Sequence, residues 1–176
     1  MNMMPASFNA GQGAPASSAR FSRDGRYRYS LSRYFGDGPT AIFTMLNPST
    51  ADAVQNDPTI RKCIGFCRRW GVGQLHVVNL FAFRAVSPFD MKKADDPIGP
   101  LNRRAVERAL TTCEDKIVVC AWGVHGGFMK QDHEMIIRIG QISAVVPLCL
   151  GTTKDGFPRH PIYLPYRASL IPYRGR

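Results

Sequence analysis

The sequence lacks any apolar run close to the roughly 20 residues that cross a bilayer, and no secretory hydrophobic segment follows its start. It therefore predicts no membrane partner and favours the cytoplasm. The five cysteines form no CxxC pair and are odd in number, which favours reduced thiols over a disulfide framework. Cys63 and Cys67, four residues apart on a predicted helix, leave open a metal cluster, but buried thiols are the ordinary interpretation. We expect no metal and no cofactor.

Acidic residues are few: 13 Asp and Glu stand against 23 Lys and Arg, giving a net charge of +10. Such an excess favours a polyanionic partner such as DNA or RNA, although a basic surface that only promotes solubility remains the alternative. With 176 residues, 44% of them hydrophobic, the chain has the size of one compact domain. We expect a monomer.

Several catalytic signatures are also missing. There is no Gly-x-Ser-x-Gly, no Walker loop, no His-Glu-x-x-His and no Cys beside a His. These absences argue against a serine or cysteine hydrolase triad, a P-loop nucleotide hydrolase and a zinc peptidase of that type.

The chain begins with an aperiodic segment. Residues 1–20 are rich in Met, Ala, Ser, Gly and Pro, which predicts a flexible leader before a single domain over 21–176. Asp24-Gly25 then predicts the turn of an N-terminal β-hairpin. The interleaved Arg and Tyr residues of that hairpin either track a phosphate backbone or form an edge with one packed and one charged face.

The remaining residues alternate between apolar strands and amphipathic helices. Strands are predicted over 41–46, 76–80, 117–123 and 144–150, and helices over 58–70, 101–110 and 129–139. Asp57 is the candidate N-cap of the first helix. The pattern predicts a three-layer α/β/α fold whose central sheet has four mostly parallel strands, in addition to the hairpin.

Polar residues follow the apolar strands. Asn47 stands in Leu-Asn-Pro-Ser-Thr directly after the first strand, Asn79 ends the second, and His125 and His160 lie in later loops. Right-handed crossovers bring the carboxyl ends of the strands to one edge, so we expect these four to meet there. An Asn can orient water, a second can pair with a nucleobase edge, and a His can donate to a developing anion. The structural alternatives are a strand-end cap for Asn79 and a local hydrogen bond for His125.

These motifs resemble the uracil-DNA glycosylase superfamily, and the likeness spans about residues 27–172. The order is Leu46-Asn47-Pro48-Ser49, then Val78-Asn79, then Ala121-Trp122-Gly123, then His160-Pro161. The Asn before Pro is closest to the mismatch-specific branch. The Met-Leu-Asn-Pro-Ser-Thr-Ala-Asp and Lys-Asp-Gly-x-Pro-Arg-His-Pro signatures resemble, more closely, a family of bacterial and phage proteins.

The resemblance implies a monofunctional DNA glycosylase that flips a base from double-stranded DNA. Asn47 would position the attacking water, with Asp52 as an alternative carboxylate, and His160 would stabilise the leaving base. The implied base contacts are Asn79, Ser49, Phe81 and Phe83. The implied DNA contacts are Lys154, Arg159, Tyr163, Arg84 and Arg61.

Departures from the superfamily bear on the substrate. Asn47 stands where uracil-specific members carry Asp, and Ser49 stands where a Tyr would refuse substituted pyrimidines. We therefore expect a 5-modified pyrimidine, such as a bulky modified cytosine of phage DNA, and a role in antiviral defence. An enzyme acting on free nucleosides or nucleotides and a non-catalytic module that binds modified DNA remain alternatives.

Overall fold

The computed structural model describes residues 17–112, 115–142 and 144–176 and shows an α/β protein. Its strands are β1 (Ser18–Phe21), β2 (Arg28–Tyr34), β3 (Thr40–Met45), β4 (Gln74–Asn79), β5 (Lys116–Cys120), β6 (Leu148–Cys149) and β7 (Ile171–Pro172). Its α-helices are α1 (Pro58–Arg69), α2 (Pro88–Lys92), α3 (Asn102–Thr112) and α4 (Gln131–Ile142).

One mixed sheet contains all seven of these strands, in the order β1-β2-β4-β3-β5-β6-β7. The four central strands β4, β3, β5 and β6 are parallel to one another, whereas β1, β2 and β7 pair antiparallel. The prediction of a four-stranded, mostly parallel sheet was wrong. The hairpin does not stand apart, because its second strand pairs with β4 and extends the sheet.

Helices cover both faces of the sheet, as the apolar strands predicted. Phe43 of β3 packs in a cluster with Cys63 and Cys67 of α1. The next residue towards the amino end, Ile42, packs in a second cluster that contains residues of α3 and α4. Because successive strand residues point to opposite faces, the central strands are buried on both sides.

The start of α1 forms as the sequence predicts. The side chain of Asp57 accepts a hydrogen bond from the backbone N–H of Ile60 at 2.8 Å, and Pro58 occupies the first turn. After the helix, Gly71 adopts φ = 67°, a left-handed conformation that favours glycine. The predicted N-cap is confirmed.

Two predicted segments differ at their bounds. Most of the leader expected over 1–20 lies outside the described residues, but residues 18–20 belong to β1. The strand expected over 144–150 is limited to Leu148–Cys149, which begins directly after Pro147, a residue without an N–H to donate. No helix in the described ranges is long and apolar enough to cross a membrane.

Candidate active site

A cavity of about 610 Å³ lies at the carboxyl ends of the parallel strands. The ends of β3 and β4 are adjacent, since Met45 pairs with Asn79, and β5 leads into Trp122 and Gly123. The structure brings together the four polar residues expected to meet there, and the lining also holds three other predicted site residues. The polar residues in its lining are Arg28, Asn47, Ser49, Asp57, Thr59, Asn79, His125, Thr153, Arg159, His160 and Tyr163.

The side chain of Asn47 is held by two backbone carbonyls. Its Nδ2 donates to the carbonyl oxygen of Ala85 at 2.8 Å and to that of Pro48 at 3.1 Å. Carbonyls only accept hydrogen bonds, so this pairing fixes which end of the amide is nitrogen. The Oδ1 atom of Asn47 is therefore the acceptor left for a molecule in the cavity.

The side chain of Asn79 is buried without protein partners. The residue is 1% exposed, and neither its Nδ2 nor its Oδ1 has a hydrogen bond within the described part of the chain. Its backbone carbonyl accepts from Nδ2 of Asn102 at 3.0 Å, which secures the end of β4. An unpaired buried polar group costs about 1–3 kcal/mol. Because Asn79 lines the cavity, a ligand there can supply the missing partners.

The imidazole of His160 is neutral at pH 7. Burial lowers its pKa to about 4, although the nearby charge of Asp57 acts in the opposite direction. Its Nδ1 accepts from the backbone N–H of Ile162 at 3.4 Å, so the proton of the neutral ring is on Nε2. His160 is therefore a neutral hydrogen-bond donor in the wall of the cavity.

Backbone contacts position the His160 loop beside β5. The N–H of Gly123 donates to the carbonyl of Pro158 at 3.0 Å. Gly123 adopts φ = 72°, and a Cβ at this position would lie 3.7 Å from the Cβ of His160. Next to His160, Pro161–Tyr163 forms a short 3-10 helix.

Ser49, Arg159, Tyr163 and His125 also lie in the cavity wall. Tyr163 is 83% exposed, and its ring centroid is 6.0 Å from that of His160. Nδ1 of His125 contacts Nζ of Lys92 at 3.2 Å. Burial and the charge of Lys92 lower the pKa of His125. The contact with Lys92 is a local hydrogen bond of the kind that the structural alternative for His125 predicts.

The predicted aromatic base contacts are wrong. Phe81 is fully buried against Phe128, and Phe83 packs edge-on against Tyr27. Neither lines the cavity. The backbone N–H of Phe81 still donates to the carbonyl of Leu46. The alternation of side chains between the two faces of the sheet therefore continues past the end of β4 and directs Phe81 into the core.

The alternative water-activating carboxylate, Asp52, is placed elsewhere. It lies outside the cavity lining, and its Oδ1 accepts from the backbone N–H groups of Val54 and Gln55. These hydrogen bonds lower the pKa of Asp52. Its role in the structure is to cap a turn.

Three of the basic residues predicted to contact DNA lie outside the cavity lining. Arg84 donates to the carbonyl of Gly25 at 3.1 Å and lies over the ring of Phe21, so it supports the hairpin. Arg61 on α1 and Lys154 are exposed. Because they are exposed, Arg61 and Lys154 are accessible to the phosphate backbone of a nucleic acid, whereas Arg84 is half-buried.

Sequence reasoning missed Arg28 as a cavity residue. Arg28 is 2% exposed; its Nη1 donates to the carbonyl of Ala51 at 2.6 Å, while its Nε has no partner among the described residues. Burial lowers its pKa to about 10, which leaves it charged at pH 7. No local signal finds it, because Arg28 occupies an ordinary position in an Arg-Tyr alternation.

Asp57 was predicted only as a helix cap. It lines the cavity as well, and its charge acts on both Arg28 and His160. One carboxylate oxygen caps α1, and the other makes no hydrogen bond within the described ranges. A helix that starts at a strand-end cavity presents its N-cap to that cavity, which is the signal that could have identified Asp57.

The described residues contain no group of three or more His, Cys, Asp or Glu side chains arranged to hold a metal ion. Cys63 and Cys67 are buried in the apolar cluster around α1. Burial raises the pKa of both thiols, that of Cys67 to about 12. They are therefore core residues, in keeping with their ordinary interpretation.

Comparison with known proteins places the chain in a family. No curated protein and no solved structure matches it. A family model described as a protein of unknown function, DUF1643, matches residues 28–162, a range that contains every cavity-lining residue except Tyr163. The match covers most of the chain, which therefore belongs to the DUF1643 family.

Proposed function

We propose that this protein is a monofunctional DNA glycosylase, similar to the uracil-DNA glycosylase superfamily, that hydrolyses the N-glycosidic bond of a flipped, 5-modified pyrimidine. The observation that carries the proposal is the amide of Asn79, buried in the cavity wall with both polar atoms unpaired among the described residues. Around it stand a fixed Asn47 and a neutral His160.

The amide of Asn79 suits the edge of a nucleobase. It presents one donor and one acceptor side by side, and a pyrimidine edge offers the complementary pair. Since Asn79 is 1% exposed, a base inside a duplex cannot reach it. The base has to leave the stack and enter the cavity, as in other enzymes that act on bases.

The cavity side chains supply the groups that hydrolysis needs. Oδ1 of Asn47 accepts a hydrogen bond from water and orients its oxygen towards C1′ of the sugar. The C1′–N bond breaks, its electron pair leaves with the base, and Nε2–H of His160 donates to the base carbonyl that gains negative charge. The free oxygen of Asp57 accepts the proton lost by the water. No step requires a cofactor.

Contacts around the cavity mouth suit double-stranded DNA. The exposed ring of Tyr163 lies beside His160 and can fill the stack that the flipped base vacates. Arg159 lines the same mouth, and the exposed Lys154 and Arg61 add positive charge for phosphates. The net charge of +10 favours such a partner.

The lining also supports a modified substrate. Ser49 lies in the cavity wall. In the superfamily that this chain resembles, uracil-specific members carry a Tyr at this place, and that Tyr refuses substituted pyrimidines. We therefore assign a bulky modified cytosine of phage DNA as the candidate substrate. Its excision in the cytoplasm by a monomeric enzyme would leave abasic sites in invading genomes and serve antiviral defence.

The test is base release from duplexes that carry different modified pyrimidines and from phage DNA of known modification. Abasic sites are detected by alkaline cleavage, and the free base by mass spectrometry. We expect Asn47→Ala to lower kcat by about 100-fold or more, because the oriented acceptor for water is lost. Thr50→Ala is the matched control, since Thr50 is exposed, three residues away and outside the cavity lining.

Other outcomes of the same assay contradict the proposal. Release from mononucleosides alone would identify a nucleoside or nucleotide hydrolase. Tight binding of modified duplex without release would identify a recognition module. Full turnover by Asn47→Ala would remove Asn47 from the mechanism.

A further inference from the structure

A second groove, of about 710 Å³, runs between the β1–β2 hairpin and α3. Residues at the amino ends of β3 and β4 line it, together with the β1–β2 hairpin and one side of α3. The groove and the cavity share no lining residue, although Tyr29 and His76 in the groove directly neighbour Arg28 and Val77 in the cavity. No step of the proposed hydrolysis uses this groove.

The sheet surface in the groove carries polar side chains. Oγ of Ser32 and Nδ1 of His76 are hydrogen-bonding partners across β2 and β4, 2.7 Å apart, and both line the groove. A sheet face that packs against other elements of the protein normally carries apolar residues. Burial lowers the pKa of His76 to about 4, so this histidine adds no positive charge at pH 7.

Arginines supply the charge of the groove. Arg20 and Arg23 approach from the hairpin, Arg104 and Arg108 from α3, and all four are exposed. Their guanidinium groups make no salt bridge or hydrogen bond in the described part of the chain. No Asp or Glu lines the groove.

An acidic residue does lie nearby on α3, but it already has a partner. Glu107 accepts a hydrogen bond from Nε of Arg103 at 2.8 Å, and Arg138 lies 3.9 Å from the same oxygen. Arg104 and Arg108 lie one turn apart, so their side chains are neighbours on the helix surface. The positive charge of the groove is therefore not neutralised by the protein around it.

We propose that this groove binds the phosphate backbone of a nucleic acid, at a site separate from the cavity. Four arginines on two facing elements match a series of phosphates better than one anion, since each can pair with a different phosphate.

The experiment is a salt titration of binding, measured by fluorescence anisotropy, with the full chain and an unmodified duplex of about 30 base pairs. The test variant is Arg104→Gln/Arg108→Gln, because Gln keeps good helix propensity at exposed positions. The control variant is Lys93→Gln/Arg103→Gln, which removes the same charge from exposed residues already paired with Asp90 and Glu107. Circular dichroism verifies that both variants fold.

Each phosphate contact contributes about 0.9 to the slope of log K against log salt, so the test variant is expected to lower that slope by about 2. Between 50 and 200 mM salt this change amounts to roughly tenfold in affinity. The control is expected to keep the slope of the original protein. Equal losses in the two variants would show that only overall charge matters and would overturn the proposal.

One further arm decides the ligand. Loss of binding on adding inorganic phosphate, at an ionic strength matched with chloride, would identify a site for a single anion and contradict a backbone site. Because unmodified DNA is the probe, the result does not depend on base excision. A failed excision assay and a failed binding assay are therefore separate outcomes.

Discussion

The substitution Asn79→Leu tests whether the amide of Asn79 contributes to the stability of the fold or to the activity of the site. Asn and Leu have the same number of side-chain heavy atoms and the same branch point, so the change replaces two unpaired polar atoms by methyl groups in nearly the same volume. The backbone carbonyl of residue 79 keeps its hydrogen bond from Asn102. The variant should therefore retain the end of β4 and lose only the amide.

The expected effect on stability is positive. An unpaired buried polar group costs about 1–3 kcal/mol, and its replacement by an apolar group of the same shape removes that cost. We expect the free energy of unfolding to rise by about 1–3 kcal/mol. For a chain of this size, each kcal/mol raises Tm by about 2–4 °C. Base release by the same variant is expected to fall below detection, because the base edge loses both of its partners.

Urea unfolding followed by circular dichroism measures the stability, and the base-release assay measures the activity. The matched control is Asn102→Leu, whose Nδ2 donates to the carbonyls of Asn79 and Leu80 at 3.0 Å each. That variant is expected to lose about 1–3 kcal/mol, since its amide is paired. A loss of more than 1 kcal/mol in Asn79→Leu would mean that the amide of Asn79 is structural, and the reasoning would be refuted.

Two further predictions concern the proton in the mechanism. Asp57→Asn keeps a good N-cap for α1 but removes the carboxylate whose charge acts on the buried Arg28, so we expect α1 to form, the free energy of unfolding to fall and the rate to be lowered by about 100-fold or more. Asp52→Asn, the same change in a turn cap outside the cavity, should leave the rate unchanged; equal effects would exclude Asp57 as the proton acceptor. For His160, the unfolded chain binds a proton below about pH 6.5 and the folded chain only near pH 4, so its contribution to stability is complete above 6.5 and is lost towards 4. The free energy of unfolding in urea should fall less between pH 7 and pH 5 in His160→Gln than in the original protein, although His76 retains a similar contribution in both. An equal fall in the two proteins would contradict a neutral His160.

Local patterns were sufficient for the elements that form around β3. The apolar run after Pro39 predicts a buried parallel strand, and the cap at Asp57 predicts the start of α1. The polar residues that follow each strand predict that Asn47 approaches Asn79. These features depend on neighbours in sequence, on strand alternation and on the handedness of crossovers, which act on almost any chain of this pattern.

The features that the sequence did not reveal depend on contacts between distant segments. Nothing local specifies that β2 pairs antiparallel with β4, so the hairpin was expected beside the sheet instead of in it. That pairing also buries Arg28 next to the cavity. Phe81 was misplaced because its backbone continues to bond Leu46 after β4 ends, which keeps the alternation in register with the core.

Two buried arginines of β2 support the proposal that the cavity binds a ligand. Arg33 is 5% exposed and donates to the side chain of Asn56 and to four backbone carbonyls, so the protein satisfies it completely. Arg28, five residues away and 2% exposed, donates to one carbonyl, that of Ala51, and its Nε has no partner in the described ranges. The same strand can therefore satisfy a buried guanidinium, yet it leaves donors unpaired at the cavity beside the unpaired amide of Asn79. A charged and a neutral group left short of partners in one wall are suited to a polar ligand with several acceptors, as the proposed nucleotide has, and not to a purely apolar molecule.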